Sequence, residues 1–301
     1  MKSVTEAGDL QGKRVLVRVD WSIPDLKNDF QIRATLPTLE YLEKMGAKII
    51  VATHLENETI EDLKRYLPEG AELLPNLRDN PGEEANSEEF AKELANKADI
   101  YVNEAFSVSH REHASIVGVP KFLPSYAGIE FMEEIAALSK AFHPPHPFIL
   151  LLGGAKFDTK LPLVQKFAQI ADKVFIAGAM AAKVPEVMTQ NPKVVLPVGD
   201  IAALDADDNV INQISGIIAD AKFILWNGPL GKYEKGYTEG TLKLARLLAE
   251  SGKEVIVGGA NTLAAIKELN IYDKFTFVST AGGAMLEFLA TETLPGIQAL
   301  E

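Results

Sequence analysis

Asp20 and Ser22 in VDWSIP, His54 in VATHLE, Asn76 with Arg78 in PNLRDN, and His110 with Arg111 in VSHREH all follow short apolar runs. Together these residue types describe an anion site. Guanidinium groups grip phosphate or carboxylate through paired hydrogen bonds, imidazoles add further donors, and a carboxylate such as Asp20 accepts from hydroxyl groups. In the second half of the chain the apolar runs end in glycine and small residues: GGAKFDTK, AGAMAAK, WNGPLGKYE, GGANTLAA and STAGGAMLEF. Glycine at a helix N-terminus frees backbone amides to cradle phosphate, and Lys156 and Lys160 add cationic charge there. An anion site on one half and nucleotide phosphates on the other are the ligands of a phosphotransferase that closes on a hinge and excludes water. Bland readings compete with each element of this. A single charged loop residue is commonly just solvated, and one glycine pair after a strand commonly serves close helix packing. The recurrence of both features at strand ends is what favours ligands. His54, His110 and His113 lack an acidic partner at helical spacing, so they do not read as a metal motif. No GxGxxG and no GxxxxGK[ST] is present, so neither a dinucleotide fold nor a Walker-type site has motif support.

These residues need strands to carry them. RVLVRVD, AKIIVATH and DIYVNEAF in the first half, and PFILLLGGA, DKVFIAGAM, KVVLPVG, KFILWNGP, KEVIVGG and KFTFVSTA in the second, alternate with helix-period segments. In LPTLEYLEKMG, for instance, Leu36, Leu39, Leu42 and Met45 share one helical face. That rhythm is the α/β pattern of parallel sheets, whose ligands bind beyond the carboxyl ends of the strands. The expected fold is α/β: two Rossmann-like doubly wound parallel-sheet domains joined by a helix, with a hinge cleft between them. Residues 1–125 form the first, anion-binding domain, and 147–291 the nucleotide domain. The helical AGIEFMEEIAALSKAF and the proline-rich HPPHP, over residues 126–146, connect them, and the tail 292–301 is placed back on the first domain. The stretch VDWSIPDLKNDFQIRA reads as a polar loop after the first strand.

Composition agrees. With 301 residues, two domains are expected, and 47% hydrophobic with 24% charged residues is the balance of a soluble globular protein. A formal charge of −12 disfavours a general role on nucleic acid or on an anionic membrane. The first residues lack the apolar stretch of a signal peptide, and no run of the chain is long enough to span a bilayer, so a cytoplasmic protein is expected. Having no cysteine, the chain has no disulfide, thiolate metal site or cysteine nucleophile. A monomer is expected, because a cleft must open and close.

RVLVRVD, IRATLPTLEYL, NLRDNPGEEANSEEFAKELA, DIYVNEAFSVSHREHASIVGV, LGGAK, LWNGPLGKYEKG and STAGGAMLEFLATETLPG resemble the phosphoglycerate kinase family over nearly the whole chain. The resemblance implies reversible phosphoryl transfer between 1,3-bisphosphoglycerate with ADP and 3-phosphoglycerate with ATP, using Mg2+. It implies that Asp20, His54, Arg78 and Arg111 bind the phosphoglycerate, with Ser22 and His110 beside them. It implies that Lys156 and Lys160 contact nucleotide or the transferring phosphate, and that Glu234 binds the ribose. Gly153, Gly154, Gly178, Asn227, Gly228, Gly258, Gly259, Asn261, Thr262, Gly282 and Gly283 would line the nucleotide's path.

The departures from the family pattern concentrate in the site. Ser22 replaces an asparagine, Asn57 an arginine, and Gln31 the arginine that neutralises the transferring phosphoryl group, leaving Arg33 two residues on as the available substitute. Asn261 stands where a metal-ligating aspartate is expected, and Asp158 is offset by one place from the acid of the family's KVSDK, either as a substitute ligand or as a helix cap. Segments are missing after HLENE and after AGAMAAKV, the second near the adenine side. The expected activity is a slow or specialised kinase. The alternatives are a non-catalytic homologue that binds a phosphorylated metabolite or nucleotide, and a kinase with a changed substrate.

Overall fold

Runs such as VLVRV and FILLL are apolar at nearly every position, so they need cover on both faces, which is the environment of a parallel sheet flanked by helices. The computed structural model describes residues 1–22, 29–56 and 59–301 and forms two units, Met1–Ala136 with Thr291–Glu301, and Ala137–Ala290.

The first unit contains β1 (Arg14–Val19), β2 (Lys48–Ala52), β3 (Glu72–Leu73), β4 (Ile100–Glu104) and β5 (Ser125–Ala127). They lie in the order β3-β2-β1-β4-β5, all parallel. β3 and β5 are edge strands of two and three residues, too short for a periodic signal in the sequence. The helices are α1 (Phe30–Lys44), α2 (Ile60–Leu63), α3 (Glu88–Ala95) and α4 (Ile129–Ser139), and the division between the units falls within α4.

α1 corrects the end of the expected loop, whose residues 23–28 lie outside the described residues. It begins at Phe30, so Gln31 and Arg33 sit in a helical first turn rather than in a loop. The reason is that Ile32 and Thr35 extend the buried face of Leu39 and Leu42 backwards, and Pro37 deprives only one carbonyl of its helical partner. Each fully buried aliphatic side chain contributes about 1.5–3 kcal/mol, enough to offset that loss. Trp21, wholly buried, pins the end of β1 to the end of β2 and to this helix: its backbone amide donates to Thr53 Oγ1 (3.1 Å) and its indole to Thr35 Oγ1 (2.9 Å).

The second unit contains β6 (Phe148–Leu152), β7 (Lys173–Ile176), β8 (Val194–Val195), β9 (Phe223–Asn227), β10 (Glu254–Gly258) and β11 (Phe277–Ser279). Its order is β11-β10-β9-β6-β7-β8, again all parallel. Around it run α5 (Phe157–Ile170), α6 (Glu186–Thr189), α7 (Asp208–Ile218), α8 (Glu239–Glu250), α9 (Ala260–Leu269) and α10 (Gly283–Thr291). α11 (Pro295–Gln298) belongs to the first unit, where the Gly296 amide donates to Ser109 O (2.8 Å). Among the described residues, no helix is long and apolar enough to cross a membrane.

Candidate functional site

Both sheets reverse their winding once, between β1 and β4 in the first unit and between β6 and β9 in the second. At such a point the loops diverge to opposite sides and leave a crevice at the carboxyl edge. The residues of interest sit at these two points and along the same carboxyl edges.

In the first unit Asp20 leaves β1 and Ser107 leaves β4, and the Ser107 hydroxyl donates to Asp20 Oδ2 across the gap. The Ser22 amide donates to Asp20 Oδ1 (3.4 Å). Burial pushes the Asp20 carboxyl up, opposed by Ser107, Arg18 and Arg111. His54, 5% exposed beyond β2, lies 3.8 Å from Asp20 Oδ1. Its imidazole is held down at about 2, by burial first and then by Arg18, Arg78, Arg111 and His113. Asp20, His54, Arg78 and Arg111 are thus gathered from four different loops. Arg78 pairs with Glu56 (2.7 Å) and Glu84 (3.4 Å), while Arg111 and His110 are half-buried on the segment after β4.

Beneath them is a buried polar network that the sequence reading did not single out. Arg18, 1% exposed inside β1, donates from Nε to Ser115 Oγ (2.8 Å) and from Nη1 to Val19 O. Ser115 Oγ donates in turn to Glu83 Oε1 (2.5 Å), whose other oxygen accepts from the Ser115 amide (2.9 Å). Glu83 is fully buried, 4.0 Å from Arg18 Nη2. The available signal was an arginine within an otherwise apolar strand. Because a buried charge stripped of its partner is costly, Glu83→Leu is expected to lower unfolding free energy by about 3–5 kcal/mol in urea titrations. The double variant with Arg18→Met should recover much of that loss, and an additive double variant would contradict the pairing.

Gln31 donates from Nε2 to the carbonyl oxygen of Asp20 (3.0 Å), joining the first turn of α1 to the end of β1. Arg33 takes another direction. Two helical residues are about 200° apart around the axis, and Arg33 donates from Nε to Asp29 Oδ1 (2.9 Å) with its side chain 67% exposed. Tyr66 donates its hydroxyl to the other Asp29 oxygen (2.8 Å). Asn57 lies outside the described residues.

In the second unit the glycine-rich ends meet closely. Gly153 and Gly154 donate their amides to Asn227 O (2.9 Å) and Pro229 O (2.8 Å), and Gly228 donates to Thr262 Oγ1 (3.0 Å). These three amides therefore join strand ends instead of standing free for phosphate. A Cβ on Gly228, at φ +97°, would run into the backbone carbonyl of Gly153, so only glycine lets the two backbones pass there. Lys160, 7% exposed, donates to Gly153 O (2.7 Å), Asn227 O (3.1 Å) and Asn227 Oδ1 (2.7 Å). An ammonium has three protons, so all its donors are engaged at the switch point. Burial draws Lys160 down to about 8. Lys156 is exposed at the N-cap of α5, and Lys183, absent from the sequence reading, donates to Ala155 O (3.4 Å) in the same loop.

The N-termini of α5, α9 and α10 all open at this edge. Gly258 and Gly259 lead into α9, where Asn261 is the second residue and Thr262 is buried; around Gly282, which leads with Gly283 into α10, a Cβ would meet open space. Glu234 is exposed on the turn Tyr233–Lys235. Asp158 is exposed in the first turn of α5, and no side chain caps that helix, so the capping role is absent. A cavity of about 100 Å³ lies beside Gly178, lined by Val198, Ile201, Val210 and Leu230 together with Asp200, Asp205 and Asp207. Among the described residues no cluster of three His, Cys, Asp or Glu side chains could hold a metal. Helix N-termini, a lysine at one of them and a nearby cavity of mixed apolar and acidic lining suit a nucleotide whose own phosphates carry most of the metal's ligands.

A family model described as phosphoglycerate kinase matches residues 4–67, 56–191 and 184–292. The phosphoglycerate kinase of Coprothermobacter proteolyticus is 34% identical over 388 residues, covering 100% of this chain and 98% of the relative. That of Dictyoglomus turgidum is 34% identical over 383 residues, covering 97% and 96%. Because the first span exceeds the 301 residues here, about 87 of its positions (388 against 301) have no counterpart in this chain. Among solved structures, phosphoglycerate kinase from Coxiella burnetii is similar with a TM-score of 0.85 at 29% identity, covering 99% of this chain and 98% of that one. The enzyme from Pyrococcus horikoshii is similar with a TM-score of 0.84 at 26% identity, covering 100% and 98%.

Proposed function

Because the chain belongs to the phosphoglycerate kinase family, we propose that it transfers a phosphoryl group between 1,3-bisphosphoglycerate and ADP, forming 3-phosphoglycerate and ATP. In that direction the bond between the acyl oxygen and phosphorus breaks while a bond from an ADP β-phosphate oxygen forms, and the carboxylate leaves. The observation that carries this reading is the pair of polar clusters at the two switch points, one rich in arginine and histidine, the other in lysine and glycine.

In the first unit Arg78 and Arg111 take the phosphate and carboxylate of the acid, His54 donates to it, and Asp20 accepts from its hydroxyl. In the second, Lys156 and the N-termini of α5, α9 and α10 take the nucleotide phosphates, Glu234 takes the ribose, and the cavity beside Gly178 takes the base. Lys160 must exchange one of its carbonyl partners to reach a phosphate oxygen. Mg2+, when bound with nucleotide, neutralises phosphate charge, and Asn261 would hold it as a neutral ligand. Catalysis here is positioning plus charge stabilisation, since the chemistry asks for little more. The reading implies a cytoplasmic, monomeric enzyme of glycolysis.

A second reading, ligand binding with little turnover, is favoured by Gln31, whose neutral amide is engaged with a backbone carbonyl where a cation would speed transfer. A coupled assay with ATP, Mg2+ and 3-phosphoglycerate, run beside thermal-shift titrations of each ligand, separates the two. Turnover supports the kinase; ligand stabilisation without turnover supports the binding protein. Neither response would overturn both.

A further inference from the structure

His54 is named above only as a donor to the acid, and a neutral imidazole can donate from just one nitrogen. Which nitrogen bears the proton is decided by the group facing the other one. Arg18 Nη2 lies 3.2 Å from His54 Nδ1, with both side chains buried. An arginine has donors and no acceptor, and it keeps its charge. Nδ1 must therefore offer a lone pair, and the proton belongs on Nε2. The opposite tautomer would set an N–H against the guanidinium and aim it at Asp20 Oδ1, which at 3.8 Å is beyond hydrogen-bonding distance.

Arg18 has little freedom to yield. Its Nε is held by Ser115 Oγ and its Nη1 by Val19 O, while Glu83 and the amide and hydroxyl of Ser115 close the network behind it. Tyr101 adds a further tie, donating its hydroxyl to Ser115 O (2.6 Å).

We propose that Arg18 is a positioning residue for phosphoryl transfer: it locks His54 as the neutral Nε2–H tautomer, making it a donor to the phosphorylated acid whose strength does not vary with pH. The claim about substrate rests on the kinase reading, whereas the claim about the tautomer does not. The charged and titratable groups facing His54 are Arg18 and Asp20 from β1 and its end, Arg78 from the turn after β3, and Arg111 and His113 from the segment after β4. Four of these five oppose a second proton. The fifth, Asp20, is too distant to bind it, is engaged by Ser107, and has its own charge disfavoured by burial. An ordinary histidine titrates near about 6.5; held this way, His54 does not titrate across the neutral range.

Long-range proton–nitrogen NMR spectra of the 15N-labelled full chain test the idea directly. The chain has five histidines, so His54 is assigned by its absence in His54→Gln. The expected spectrum shows Nε2–H with no titration from about pH 5 to 9, and a shift at Nε2 when 3-phosphoglycerate is added. In Arg18→Met, His54 should become a tautomer mixture that titrates. The KM for 3-phosphoglycerate should rise roughly tenfold or more and acquire a pH dependence. Arg18→Lys, which keeps an obligate donor, should restore the Nε2–H form. Should Arg18→Met fail to fold, the wild-type spectrum still decides. An Nδ1–H signal, or titration of His54 between about pH 5 and 8, would overturn the proposal, as would an unchanged tautomer in a folded Arg18→Met. An Nε2–H signal in a protein without turnover would sink the kinase reading and leave the tautomer lock standing.

Discussion

Gln31→Arg is expected to raise kcat for phosphoryl transfer by roughly 10³-fold, the lower end of what an arginine aimed at a transferring phosphoryl group contributes. The position is already well placed. From the first turn of α1, the Gln31 amide reaches the carbonyl of Asp20, at the same strand end that carries the cluster proposed to bind the acid. A longer, charged side chain from that backbone site would supply the charge the amide lacks. Because the interaction forms mainly in the transition state, kcat should rise while KM changes little. Coupled assays of wild type, Gln31→Arg and Arg33→Ala decide among the alternatives. Arg33 is held by Asp29 on another face of the helix, so Arg33→Ala should leave kcat essentially unchanged. If Arg33→Ala abolished activity and Gln31→Arg added nothing, Arg33 would be the working cation and the assignment to position 31 would fail.

Lys160→Met is expected to lower kcat by roughly 10²–10³-fold, the loss typical of removing one donor from a developing charge, with little net change in stability. Two effects of similar size oppose each other. Burial has drawn the ammonium from 10.5 to about 8, a penalty on the charged form of about 3 kcal/mol that methionine removes. Methionine also leaves Gly153 O and Asn227 Oδ1 without this donor, at about 1–3 kcal/mol each. The pH dependence has a definite sign. Since the folded pKa lies below the unfolded one, the native chain loses this proton from about pH 8 while the unfolded chain holds it to 10.5. Stability contributed by this group therefore rises with pH across that window, and the rise should vanish in Lys160→Met. Activity runs the other way: kcat/KM for nucleotide should fall above about pH 8 as the charge is lost, and Lys160→Arg should remove that limb. A profile flat to about pH 9 would place Lys160 outside the chemistry.

Much of this was legible in the residues. Long apolar runs ended by polar or glycine-rich segments identify parallel strands and the edge where ligands bind, because burial on both faces demands continuous hydrophobicity and a sheet's loops inherit everything else. That logic located Asp20, His54, Arg78 and Arg111 together, and likewise the glycine-rich ends near Lys156 and Lys160. It failed where pattern was short or interrupted. β3 and β5 carry two and three residues, and Pro37 disguised the first turns of α1. The buried group of Arg18, Glu83 and Ser115 escaped because its members lie up to 97 residues apart and only folding makes them neighbours.

By itself the sequence determined the α/β class, the family and the chemical character of both candidate sites, since these depend on residue type and on local spacing. The tertiary structure decided what individual groups are able to do. It turned the glycines at 153, 154 and 228 into close backbone contacts, engaged all three protons of Lys160, and carried Arg33 away from Gln31 around a helix. The physical reason is common to these cases: a donor's role is set by the acceptor that reaches it first, and that acceptor comes from elsewhere in the chain.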